Sequence, residues 1–78
     1  MSELMNTTAL KKRPIGKLAF AHCNKRLEIC VLKSNAGYYI GTADEDGPCS
    51  RESVEYWRKH EHAASALETG DWTQKEAP

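Results

Sequence analysis

Nothing in this chain approaches the roughly 20 consecutive apolar residues that a membrane-spanning helix needs. Its first residues, MSELMNTTALKKRPIG, lack an apolar core behind a basic start, so they do not read as a secretory signal. Cysteine is sparse: Cys23, Cys30 and Cys49 form an odd set without a Cys-x-x-Cys pair. That argues against a disulfide framework and a zinc ribbon, and makes a reducing cytoplasm the expected setting. Also missing are a glycine-rich phosphate loop, a dinucleotide fingerprint and a Gly-x-Ser-x-Gly frame around Ser50 or Ser53. With 78 residues, a chain buries only about 60% of the surface its unfolded form exposes. Little core is left to wall an enclosed reaction cavity, and a non-enzymatic domain is expected, with no cofactor.

Charge of one sign is also lacking, since 11 basic side chains face 11 acidic ones. The charges are nevertheless segregated. Residues 1–39 carry seven basic and two acidic side chains, and residues 40–78 carry four basic and nine acidic ones. Such a dipole favours oriented encounter with a charged partner.

What is present points to an α+β fold. Residues 1–14 are polar and basic near their end, and read as a flexible tail. Residues 15–72 form one domain and residues 73–78 a frayed end. KLAFAHC and RLEICVLK flank Asn24-Lys25, and Asn tolerates the positive φ of a two-residue hairpin turn. The register that turn imposes puts Leu18, Phe20, His22, Leu27, Ile29 and Val31 on one face, leaving Ala19, Ala21, Cys23, Arg26, Glu28 and Cys30 on the other. A one-residue slip would mix the two sets. A third strand, YYIGTA, follows SNAG, and pairing Lys33 with Tyr38 sets Ile40 opposite Val31. The result is a three-stranded antiparallel meander with one apolar side. KHEHAASALETG covers that side as a C-terminal helix, with Gly70 at the left-handed C-cap.

The segment between sheet and helix forks. Ser50 can cap a longer helix in which Val54 and Trp57 continue the apolar stripe. Alternatively residues 53–57, SVEYW, are a fourth strand, because Val, Tyr and Trp favour strands. Compactness of a small sheet tips the balance towards the strand, with DEDGPCS as its hairpin connection.

Each cluster of chemical groups has a plain alternative. Aligning Gly47 with the glycine of a calcium loop places Asp44 and Asp46 correctly. It also puts Thr42 first and Ser53 twelfth, where a bidentate Glu is needed, so DEDG reads as a solvated turn. His60 and His62 stand two apart, about 200° around a helix, and cannot share one ion there. Cys23 and Cys30 are separated by roughly 13 Å along the expected hairpin. No metal set is complete.

Two kinds of partner remain. The expected outer sheet face is flat and small-residued, with Tyr39 as an aromatic anchor beside Leu32, Arg26 and Glu28. It predicts contact with a protein partner, a second copy of the chain included. The alternative is nucleic acid, met by Lys11, Lys12, Arg13, Lys17, Lys25 and Arg26. Against it, the composition is neutral and Glu28 sits amid the reading face.

The run YYIGTADEDGPCSRESVEYW, an Ala-rich helix and GDWTQ resemble small uncharacterised bacterial proteins carried on phages and plasmids. That resemblance implies an accessory protein that acts by binding. In element order alone, a three-stranded sheet followed by a helix is similar to the arm-binding domains of phage integrases.

Overall fold

The computed structural model describes residues 14–78. Its elements are α1 (Lys17–Cys23), β1 (Cys30–Ser34), β2 (Gly37–Asp44), β3 (Gly47–Arg51) and α2 (His60–Thr69). The three strands form one antiparallel sheet in the order β1-β2-β3. This is the expected α+β architecture, a three-stranded meander with a C-terminal helix packed on it.

The expected β1–β2 register is present, with Lys33 opposite Tyr38 and Val31 opposite Ile40. The acidic stretch also turns a corner: Asp44 pairs with Gly47, and Glu45-Asp46 make the turn. Asp44 Oδ1 accepts the Asp46 amide at 2.8 Å, the local bond that favours Asp at such sites.

The identities of the strands differ from those expected. Residues 17–23 are helical, and Asn24 takes its positive φ, 57°, as the left-handed C-cap of α1 instead of a hairpin turn. Ala19 and Ala21 are strong helix formers, and a tertiary carboxylate described below holds the first turn. The backbone of residues 27–29 therefore pairs further upstream. Gly16 N donates to Leu27 O at 2.8 Å and Ile29 N to Pro14 O at 3.0 Å. Pro14 belongs to the folded part. The rest of the expected tail, with Lys11, Lys12 and Arg13, lies outside the described residues.

The third strand is Gly47–Arg51, in the stretch expected to be a connection. Residues 53–57 are not a separate strand. The chain bulges away from β2 after Arg51, with both Glu52 N and Ser53 N donating to Ile40 O, and returns where Tyr38 and Trp57 exchange two 2.8 Å bonds. Residues 73–75 are likewise tied down instead of frayed: Thr73 O accepts from Val54 N and Lys75 N donates to Glu52 O.

Helix α2 ends as expected, with Gly70 at φ 78° and its amide on Ala66 O. Its inward residues Ala63 and Ala66 are buried. Ile29, Ile40 and Ala66 form the core, and Trp57, Leu67 and Trp72 pack around it. The opposite sheet face is covered too. Tyr39 is only 7% exposed, and the Tyr56 ring meets it edge-on at 5.9 Å.

Candidate functional site

Three features could carry chemistry or recognition: a buried carboxylate, a pair of thiols and an exposed apolar surface.

Glu52 is wholly buried. Both its oxygens lie 3.0 Å from Leu18 N, and Oε2 also accepts from Ala19 N at 3.0 Å. Ser50 Oγ donates to Oε2 at 2.6 Å and Gln74 Nε2 to Oε1 at 2.7 Å. Ser50 has a single proton, committed to Glu52, so at 2.7 Å the Thr42 hydroxyl donates to Ser50. The carboxylate thus fills the first turn of α1, where free amides and the positive end of the helix dipole favour an anion. Gly16 makes room for it: a Cβ there would stand 2.5 Å from Thr42 Cγ2 and 2.7 Å from Glu52 Oε2.

Burial alone would raise the Glu52 pKa, but the bonds from Leu18, Ser50, Gln74 and Ala19 outweigh it and hold the carboxyl below its ordinary value. Such an acid is a weak base, poorly matched to taking the Ser50 proton at neutral pH. The Thr42–Ser50–Glu52 chain therefore works as a clamp that joins α1, β2, β3 and the C-terminal segment. Sequence reasoning did not single out Glu52. Its only trace there was an acid in a stretch of strand-forming residues.

The second feature is Cys23 with Cys49. They line one depression of about 210 Å³ with His22 and Lys75. The hydrogen bond shared with Cys23 and then burial push the Cys49 thiol up, and Lys25 opposes them. The expected hairpin set Cys23 on one face with Cys30, roughly 13 Å apart, and missed this pair, because α1 turns Cys23 towards β3.

The third feature is the surface at Ile15 and Phe20, 41% and 49% exposed. The Arg26 guanidinium lies 5.3 Å from the centre of the Phe20 ring. Ile15, Lys17, Phe20 and Arg26 line a depression of about 200 Å³. Ile15 and Lys17 also border a wider one of about 460 Å³, floored by Ile29, Leu67 and Trp72. The two depressions adjoin at Ile15 and Lys17, which line both.

The sequence-predicted interface is not brought together as expected. Tyr39 is buried under Tyr56, so it is not an exposed anchor. Leu32 is its half-buried neighbour across the strands. Arg26 and Glu28 are exposed, off the sheet, in the segment before β1. Of the predicted nucleic-acid contacts, Lys17 and Arg26 border one depression, whereas Lys25 is paired with Asp44. That bond raises the Lys25 pKa and lowers that of Asp44. His60 and His62 are both exposed on α2, and the His60 ring meets Tyr38 edge-on at 5.5 Å. Among the described residues no cluster of three or more His, Cys, Asp or Glu could hold a metal ion. No described helix is long and apolar enough to cross a membrane.

No family model, curated protein or solved structure matches this chain.

Proposed function

We propose that this chain is a small non-enzymatic binding module that recognises a protein partner through the Ile15–Phe20 surface. One observation carries the reading: a phenylalanine 49% exposed beside an isoleucine 41% exposed, in a domain with so little core. Exposed apolar side chains that adjoin one another mark interaction sites more often than scattered ones do. The partner's chemistry follows from the rim. Lys17 and Arg26 are the charged residues that line the smaller depression, so the matching segment presents an apolar side chain flanked by carboxylates. A cytoplasmic setting fits the three unlinked cysteines, and an accessory role on a phage or plasmid is what the sequence resemblance implies.

The test is a titration of isotopically labelled chain with a short peptide carrying Leu between Asp residues, against the same peptide with Lys in place of Asp. The acidic peptide is expected to shift the resonances of Ile15, Phe20, Arg26 and Trp72. Phe20→Ala should abolish those shifts while leaving the melting temperature within a few degrees. Sedimentation at rising concentration reports whether a second copy occupies the surface instead. A chain that stays monomeric and ignores the acidic peptide at millimolar concentration would end the reading.

A second reading rests on the same rim. An aromatic ring flanked by cations is a platform on which single-stranded bases stack, and Lys11, Lys12 and Arg13 lie just upstream in sequence. Nucleic-acid binding would weaken by about 0.9 log units of affinity per log unit of salt for each phosphate neutralised on a duplex, and somewhat less on a single strand. Tight, salt-sensitive binding of an oligonucleotide would place this reading first. No binding at low salt would remove it.

A further inference from the structure

The geometry points to Cys23 and Cys49 as an oxidisable dithiol, a modification site that closes into an intramolecular disulfide and opens again on reduction. Four observations bring the two sulfurs together. Cys23 is the last residue of α1, at an exposed corner. Helix α1 packs against β3, which carries Cys49. Within β3 the register slips between Thr42–Ser50 and Ala43–Pro48, so Cys49 is the extra residue of a β-bulge. A bulge breaks the alternation of a strand and re-aims a side chain, and here Cys49 joins Ser50 and Cys23 around one depression of about 210 Å³. The Lys25–Asp44 ion pair closes the same seam two residues beyond Cys23.

Topology keeps Cys30 from replacing Cys23 as the partner of Cys49. It lies on β1, and β2 separates it from β3. Two strand spacings amount to about 9.6 Å, beyond the roughly 7 Å at which cysteine Cα atoms can be bridged.

The chemistry balances with a two-electron oxidant such as hydrogen peroxide. The exposed Cys23 thiolate attacks one peroxide oxygen, the O–O bond breaks, and Cys23 becomes a sulfenic acid while hydroxide leaves. The half-buried Cys49 sulfur then attacks the Cys23 sulfur. The S–O bond breaks, and the departing oxygen takes the Cys49 proton and leaves as water. In sum two thiols give up two electrons and two protons, and peroxide becomes two waters. A dithiol reductant reverses the link by exchange. The link would fasten the end of α1 to the sheet by a covalent bond.

The sequence makes the test direct. Trypsin, cutting after Lys17, Lys25, Arg26, Lys33 and Arg51, leaves the three cysteines in three separate peptides. The full chain, treated with hydrogen peroxide and blocked at its remaining thiols, should carry one blocking group and, apart from it, have lost the mass of two hydrogens. It should stay monomeric and yield residues 18–25 joined to residues 34–51. Residues 27–33 should carry the blocked Cys30. Closing a loop of about 26 residues should raise the melting temperature by roughly 15–25 °C, and dithiothreitol should reverse both changes. Cys30→Ser should behave as the parent, whereas Cys23→Ser and Cys49→Ser should each fail to lose the two hydrogens. The parent chain and Cys30→Ser suffice should either of the latter fold poorly. Linkage through Cys30, intermolecular dimers alone, or gain of oxygen without an internal link would each overturn the proposal.

Discussion

Replacing Glu52 by Gln removes one negative charge from a buried side chain that accepts hydrogen bonds from Leu18, Ala19, Ser50 and Gln74. The amide keeps one acceptor but turns the other into a donor. It would then face donors at Leu18 N, Ala19 N and Ser50 Oγ, or at Gln74 Nε2 if the amide flips. Hydrogen bonds to a charged group contribute about 1.5–3 kcal/mol each, and a buried donor left unmet costs about 1–3 kcal/mol. These terms do not add in full, because the donors share two oxygens and can relax together. A net loss of about 2–3 kcal/mol follows, which lowers the melting temperature by roughly 10–20 °C in a domain of this size. The pH dependence carries the sharper signature. The folded-state pKa of Glu52 lies below its ordinary value of 4.5. Its contribution is therefore fully present above that value and is lost as pH falls through the folded pKa. Melting temperatures of parent and variant should differ by the full amount at neutral pH and converge as the pH is taken down through the lowered folded-state pKa. Calorimetry or circular dichroism melts across that range measure it. Equal melting at neutral pH, or a gap unchanged in acid, would refute the account of an ionised carboxylate holding α1.

Two further perturbations separate backbone packing from surface charge. Gly41→Ala places a Cβ 2.2 Å from Ser50 O and 2.9 Å from the Tyr39 ring. Since the first of these is backbone, it should cost about 3 kcal/mol and roughly 15 °C of melting temperature. A melt within a few degrees of the parent would mean that β2 and β3 are not packed this closely. Lys25→Ala removes an exposed ion pair with Asp44, and such pairs contribute little. The melting temperature should move by no more than a few degrees, and raised salt should shrink even that difference.

The amino-acid sequence by itself determined what depends on neighbours along the chain. The β1–β2 register follows from alternation and a short turn, the Asp44–Gly47 corner from turn chemistry, and the end of α2 from Gly70. Each rests on backbone preferences that act over a few residues. Asn24 was legible in the same way as a residue of positive φ, but the sequence could not say which structure would use it. A helix cap and a hairpin turn both accept that conformation, and KLAFAHC alternates well enough for a strand while holding two alanines that suit a helix.

Only the tertiary structure decided between them. Glu52, more than 30 residues away, supplies acceptors to the amides of Leu18 and Ala19, and no pattern within residues 17–23 announces it. That choice carried the candidate sites with it. As a helix, residues 17–23 set Phe20 beside Arg26 on the surface and Cys23 beside Cys49 at the sheet. Tyr39 met the opposite fate, because residues 52–56 bulge off the sheet edge and bring Tyr56 over the face that alternation alone left open. Local preference chooses among conformations of a few residues. Which face is buried depends on segments distant in sequence, and their approach is settled by packing and by the hydrogen bonds that burial requires.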